Sequence, residues 1–347
     1  MTLVCVNPQT DPRWQQLIID QPSCVFHSPA WLRVLADTYP FEVSAYLLLD
    51  ERGNPQAGAP FCRVADARGQ RLVALSFSDF CDPIAATPAQ WRALADALVG
   101  EGQGVVVRPL HNELPLADER FSLFNRARWH GLDLRPTQEQ LWQGLHESAR
   151  RAIRKAENAG VVIREADSSE DVRTFFDLHL QTRKLKYRML AQPYGFFENI
   201  WRQFVEPGNG VLMLAYHQGE VIGATLYLEW KDTFVYKFNT SKPDNLLARP
   251  NDLLIWRGIE HAKAKGFAKF DFGLSDWDQE GLIRYKMKFA TEEKTISFLR
   301  YTPDAPPNPG DQELRSLLGP LTQLFTDEAV PNSVTEQAGN LLYRYFT

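Results

Sequence analysis

Two segments in the C-terminal half collect residue types that can hold an anion beside an acyl carbonyl. The first, YKFNTSKPDNLLARPNDLLIWRGIEHAKAKG at 236–266, leaves a strand near Asn239 and crosses a polar loop carrying Lys242 and Arg249. It then enters a helix just after Pro250. A helix start offers unpaired amide N–H groups and partial positive charge, and Arg249 adds a bidentate donor, which together suit a phosphate. With Asn251 acting only as a cap, the same residues make an ordinary strand–loop–helix connection. The second, FDFGLSDWDQEGLIRYKMKF at 270–289, puts Asp271 and Gly273 at a strand end, where α/β proteins expose working groups. Asp276, Trp277 and Asp278 follow in a loop, then Tyr285, Lys286 and Lys288 on a short helix. An aromatic beside a lysine holds an anion or a carbonyl oxygen while excluding water. A core Tyr285 followed by surface lysines is the plainer alternative.

Other chemistries find no support. No GxSxG, HExxH, Walker A or GxGxxG stands in a suitable context, and the seven histidines have no metal-ligand spacing, so no metal cofactor is expected. Cys5, Cys24, Cys62 and Cys81 lack a CxxC pair and read as buried, reduced thiols. A net charge of −5 argues against a general nucleic-acid coat, and no DNA partner is expected. Two basic groups (Arg150, Arg151, Arg154, Lys155; then Arg183, Lys184, Lys186, Arg188) suit either a solvated helix face or a polyanion such as a nucleotide diphosphate or RNA. No basic n-region precedes an apolar stretch near Met1, and no apolar run reaches the ~20 residues that span a bilayer. A cytoplasmic protein is expected.

The elements that position these residues form a mixed α/β chain. In the first part the pattern predicts strands at 41–50, 56–64, 71–77 and 104–109, the first two joined by a Gly-containing turn. A helix opens at Thr87-Pro88. Beyond 136 it predicts a helix over 137–159 stopped by Gly160, a strand at 161–165, and a helix capped by 168–171. A helix over 194–205 and strands at 211–216, 219–229 and 233–239 follow. A helix from Asn251 to Gly266 and strands at 268–273 and 295–300 complete the set. The proline-rich 302–309 reads as a linker to short helices at 311–325 and 333–346, the last better suited to packing on the body than to membrane contact. Three stretches result: 1–136, 137–302 and 303–347.

Six segments, spread along nearly the whole chain, resemble one family. RRAIRKAENAGV at 150–161, LARPNDLLIW, FDFG and EGLIRYKMKF look like the Fem-type (FemAB) transferases that build peptidoglycan cross-bridges, and like the GNAT-related proteins grouped with exopolysaccharide genes. Phe26–Trp31 and Leu75–Phe80 resemble the second branch. The resemblance implies an α/β (α+β) fold of two tandem GNAT-like domains with mixed, largely antiparallel sheets flanked by helices. It implies transfer of an acyl or aminoacyl group to an amine of a cell-envelope or polysaccharide precursor. The co-substrate would be an acyl-CoA or an aminoacyl-tRNA, with no tightly bound cofactor. The acceptor would be a small molecule or a lipid- or nucleotide-linked glycan, with tRNA a possible partner and peripheral membrane contact allowed.

By the same resemblance Arg249, with Asn251, Lys242, Asn239 and Trp277 around it, would hold donor or acceptor, a diphosphate at Arg249. Tyr285 and Lys286 match the family's aromatic–lysine pair near the reacting ester, and Asp276 is among the carboxylates (with Asp271 and Asp278) able to take the amine proton. Three departures stand out: Phe289-Ala290 where the family often has Phe-Gly, no long helical hairpin for tRNA, and no Q/R-x-x-G-x-G/A signature. The missing hairpin favours a thioester donor. A catalytically silent module that binds a nucleotide-linked glycan or an assembly partner is the alternative from another class, and RNA binding through the basic groups is a third.

Overall fold

The computed structural model describes residues 1–304 and 308–347, so Ala305, Pro306 and Pro307 of the expected linker lie outside the described residues. The chain begins with β1 (Thr2–Val6), α1 (Pro12–Asp20), α2 (Pro29–Thr38), β2 (Glu42–Leu49), β3 (Pro55–Asp66) and β4 (Gly69–Val73). Then come α3 (Pro88–Gly100), β5 (Gly104–Val107) and β6 (Ser122–Asp133). After α4 (Gln138–Gly144), α5 (Glu147–Asn158), β7 (Val162–Glu165), α6 (Ser169–Gln181) and α7 (Tyr194–Ile200) come β8 (Gly210–His217), β9 (Glu220–Trp230) and β10 (Thr233–Ser241). The last elements are α8 (Pro250–Ala264), β11 (Lys269–Asp276), α9 (Glu280–Lys286), β12 (Glu292–Tyr301), α10 (Pro309–Phe325) and α11 (Asn332–Leu342).

Two compact units divide these elements. The first holds Met1–Trp129, Lys294–Leu317 and Arg344–Thr347; the second holds His130–Glu293 and Leu318–Tyr343. In the first unit β1, β2, β3 and β4 are antiparallel neighbours in that order, β5 joins β4 in parallel, and β12 pairs antiparallel with β5. In the second the order is β11-β10-β9-β8-β7, antiparallel except for the β10–β11 pair.

Local chemistry explains many of the boundaries. Asp11, Ser28 and Thr87 each cap a helix that opens with Pro, accepting backbone N–H groups from Arg13, Trp31 and Gln90. The Asp50 carboxylate accepts from the N–H groups of Arg52 and Asn54 and closes the β2–β3 turn around Gly53, whose φ of 83° is easy only for glycine.

Two expected boundaries differ. The predicted strand 71–77 stops at Val73 because Leu75 and Phe77 turn to φ of 47° and 61°. The predicted helix 137–159 is two helices: His146 donates its N–H to the Lys288 carbonyl and caps α5 through Ser148. Burial also differs from the expectation for the cysteines, since Cys62 and Cys81 are buried, Cys24 is half-buried and Cys5 is exposed.

The core of the second unit sits between α8, α5 and the sheet. Ala149, Ile153 and Ala156 of α5 meet Leu253, Leu254, Ile255, Trp256, Ile259 and Ala262 of α8. Beneath them lie Tyr227, Phe234, Tyr236, Phe270 and Phe272. Small residues on α5 and Gly258 on α8 let the backbones approach, and the buried Tyr227 hydroxyl donates to the Leu254 carbonyl at 2.9 Å. That packing holds the start of α8 over the ends of β10 and β11.

Candidate active site

The parallel ladder between β10 and β11 is short. Thr233, Phe234 and Val235 pair with Lys269, Phe270 and Asp271, whereas β10 runs on to Ser241 and β11 to Asp276. A bulge between Tyr236 and Phe238 marks the point where β10 bends away. The strands therefore diverge at their carboxyl ends, where open α/β sheets place their ligands. Diverging strands also leave backbone amides available to an extended ligand.

The chain leaves β10 through the 3-10 turn Pro243–Ala248, and Arg249 takes φ 59°, a left-handed conformation that costs an arginine about 1–2 kcal/mol. Pro250 then fixes the first turn of α8, which has no side-chain cap. Asn251 Nδ2 donates to Ser241 Oγ at 3.0 Å, tying the helix start to the end of β10. The Arg249 guanidinium is exposed and makes no ion pair among the described residues.

Asp252 follows, and its carboxyl is buried at 4% exposure. Its Oδ1 has no hydrogen-bond partner; nor does Asn251 Oδ1 or the buried Tyr285 hydroxyl. Asp252 lies within electrostatic reach of Lys288, Arg249, Tyr285 and Tyr236. Burial pushes the Asp252 carboxyl above the usual carboxylate range, and Lys288 and Arg249 only partly oppose this. Burial likewise raises the Tyr285 phenol well above its ordinary value, with Asp252 adding to the shift. Tyr236 rises for the same two kinds of reason, burial first and then Tyr187 and Asp252. Lys288 Nζ stands 5.2 Å from the centre of the Tyr285 ring. Since buried polar groups are normally paired, three orphaned oxygen atoms around one helix start point to a ligand.

The other expected residues are distributed differently. Lys286 is buried at 3% exposure, and its Nζ donates to the Gly273 and Leu274 carbonyls at 3.2 and 2.8 Å. It ties α9 to the end of β11, one residue from Tyr285. Asp271 is buried, and its Oδ1 accepts from the Gly273 N–H at 2.7 Å, holding the turn where Gly273 has φ 66°. Asn239 Nδ2 is directed to Thr225 Oγ1 at 2.8 Å. Lys242 pairs with Glu220 at 3.1 Å. Asp276 and Asp278 are exposed, and Trp277 is 46% exposed. The structure thus gathers Arg249, Asn251 and Tyr285, and adds Asp252, Tyr236 and Lys288.

The basic groups are largely engaged within the fold. Arg150 donates to the Gln143 carbonyl at 2.7 Å, Arg151 pairs with Glu147, and Arg154 lies over the Trp142 ring. Arg183 donates to the Leu190 carbonyl at 3.1 Å, and Arg188 meets Asp327 at 3.6 Å. Lys184 is buried, bonded to the Val330 carbonyl and to Asn332. For Lys184 both readings of the second group, a solvated helix face or a polyanion site, are corrected, because the segment before α11 covers it. Among the described residues no group of three or more His, Cys, Asp or Glu side chains is placed to hold a metal ion, and no helix is long and apolar enough to cross a membrane.

The class that fold and site define is a mixed α/β domain whose two parallel strands part beneath the start of a buried helix. Residues 144–287 match the family model described as an acetyltransferase (GNAT) domain. Among solved structures, FemX superposes with a TM-score of 0.68 at 14% identity, covering 94% of this chain and 100% of its own. The C-terminal domain of a putative lysylphosphatidylglycerol synthetase from Agrobacterium fabrum gives 0.56 at 13% identity, covering 88% and 95%. A tandem GNAT protein from the clavulanic acid biosynthesis pathway gives 0.54 at 11% identity, covering 88% and 100%. The fold is therefore of the GNAT type shared with FemX and tandem GNAT proteins, as the FemAB resemblance implies. No curated protein sequence matches the chain.

Proposed function

We propose that the chain is an N-acyltransferase that moves an acyl or aminoacyl group from an activated donor to an amine of a cell-envelope or polysaccharide precursor. The observation that carries this reading is the divergence of β10 and β11 beneath Arg249 and Tyr285, within the segment that matches the acetyltransferase model. An extended donor with amide groups fits beside the freed strand edges, its reactive carbonyl near the start of α8. An acyl thioester suits this slot better than an aminoacyl-tRNA, because the basic groups near α5 and after α6 are engaged within the fold. Aminolysis of such a donor needs orientation, stabilisation of developing negative charge and a destination for one proton; it needs no covalent enzyme nucleophile.

Arg249 holds an anionic group of donor or acceptor, and the Tyr285 hydroxyl is the buried donor available to the carbonyl oxygen as charge develops there. Lys286 serves as a positioning residue that fixes α9, and with it Tyr285, against β11.

A thermal-shift panel tests the donor, with acetyl-CoA, longer acyl-CoAs, aminoacyl-tRNA and a nucleotide-linked muramyl peptide on the full chain. A ligand at about 100 times its Kd adds about 2.7 kcal/mol of stability, which raises Tm by several degrees. Stabilisation by acyl-CoA supports the thioester reading. Stabilisation by the tRNA alone replaces the thioester with the tRNA donor. No shift with any of them contradicts the reading and returns the chain to a catalytically silent binding module.

A further inference from the structure

We infer that the buried polar cluster at the start of α8 receives an amine that carries a neighbouring anionic group, with Asp252 binding the amine and taking its proton and Arg249 holding the anion. This inference rests on the acyl-transfer reading and names the acceptor class for it.

Asp252 is buried, its Oδ1 has no partner, and it stands near two cations, Arg249 and Lys288, without closing an ion pair with either. A buried carboxyl in that condition is costly, and a protein keeps one where a ligand completes it. An ammonium group supplies what Asp252 lacks, N–H donors and the opposite charge, and Asn251 Oδ1 and the Tyr285 hydroxyl are two further buried oxygens without partners. The Tyr236 and Tyr285 phenols lie within electrostatic reach of the same carboxyl.

A bare amine leaves the other half of the site unanswered. The Arg249 guanidinium is exposed, unpaired and held in a left-handed conformation at the uncapped end of α8, so it presents a planar donor pair to a carboxylate or phosphate. The acceptor that satisfies both halves is zwitterionic, with its amine inward and its anion outward.

The proton balance follows from this placement. The acceptor enters as an ammonium on Asp252 and releases one proton to water. The neutral nitrogen attacks the donor carbonyl, a C–N bond forms, and the C–S bond of the thioester breaks (C–O for an aminoacyl ester). The second proton passes from nitrogen to Asp252, and the leaving sulfur or oxygen, which keeps the bonding pair, takes it up on departure. The raised Asp252 carboxyl, faced by Arg249, Lys288, Tyr236 and Tyr285, is a better base for this step than an ordinary aspartate.

Titration calorimetry on the full chain tests acceptor binding without any donor, using glycine, O-phosphoethanolamine, glycinamide and ethanolamine. Glycine or O-phosphoethanolamine is expected to bind at least about tenfold tighter than the two amines without an anion. Whichever of the two binds better assigns the anion as carboxylate or phosphate. Arg249→Gln should abolish that preference, and Asp252→Asn should abolish binding of all four while leaving any acyl-CoA thermal shift in place. Equal affinity for anionic and neutral amines, or unchanged binding in Asp252→Asn, overturns the inference. In the transfer assay Asp252→Asn should lower kcat by about 10²–10⁴-fold and remove the acidic limb of the pH profile. A loss below about threefold also overturns it. Failure of acyl transfer in the wild type, with zwitterion binding intact, counts against the acyl-transfer reading alone.

Discussion

Gly258 sets how closely α8 lies on the sheet, so replacing it with alanine tests the packing that positions the site. A Cβ built there meets Tyr227 Cζ and the Tyr227 oxygen, each at 2.5 Å, and Cε1 at 2.9 Å. Tyr227 cannot yield. It is fully buried, stacked on Phe234 at 4.8 Å, edge-on to Phe270 at 5.9 Å, and bonded to the Leu254 carbonyl. Alanine is better than glycine inside a helix by about 1 kcal/mol, so propensity alone predicts stabilisation. Overpacking in a rigid core costs about 1–3 kcal/mol or more, and contacts this short belong at the upper end. The net expectation is a loss of about 1–2 kcal/mol, which lowers Tm by about 2–8 °C in thermal unfolding. Gly281→Ala is the control: its added Cβ meets nothing within 4 Å, and in α9 it should gain up to about 1 kcal/mol. Tyr227→Phe in the Gly258→Ala background should restore part of the loss by removing one of the two closest atoms, whereas alone it costs about 1 kcal/mol for the hydrogen bond. A Gly258→Ala protein as stable as the wild type would refute this account of how α8 is seated.

Two further outcomes follow from buried groups. His179, packed among Phe175, Phe197 and Phe238 and bonded to Gln192, is held neutral by burial, with a pKa of about 3. Because that value is below the ordinary one of 6.5, the unfolded chain binds the proton first. Stability is whole above about pH 6.5 and falls by up to about 1.4 kcal/mol per pH unit as pH drops toward 3. Unfolding midpoints at pH 7 and pH 5 should therefore differ less in His179→Gln than in the wild type. Lys286→Met removes the tether to the Gly273 and Leu274 carbonyls. It should cost about 1–3 kcal/mol and lower kcat more than it changes donor affinity, as expected of a residue that positions Tyr285.

What the sequence discloses depends on the range of the interactions involved. Caps such as Thr87-Pro88 with Gln90 are local, so their helices begin where the pattern puts them. The break between α4 and α5 is hidden, because Leu141, Leu145, Ala149 and Ile153 keep a four-residue apolar spacing straight through it. What breaks the helix is a hydrogen bond to Lys288, far along the chain. At the site, Arg249 and Asn251 could be found from the strand–loop–helix pattern. Asp252 could not, since an acidic residue in a first helical turn reads as a partner for the helix dipole. The tyrosines within its electrostatic reach, Tyr236 and Tyr285, come from other elements. Lys286 looks like a surface lysine in sequence; only the fold turns it toward the end of β11.

Acyl transfer by the full chain, read by the mass of the acceptor together with the thiol released, tests the central claim most directly. The mixture would contain an acyl-CoA series and glycine or O-phosphoethanolamine. The account predicts an acceptor that gains one acyl group on nitrogen for each thiol released, with the rate falling sharply in Tyr285→Phe and Arg249→Ala. Thiol release without an acylated amine, or neither product with any acyl donor, would contradict it.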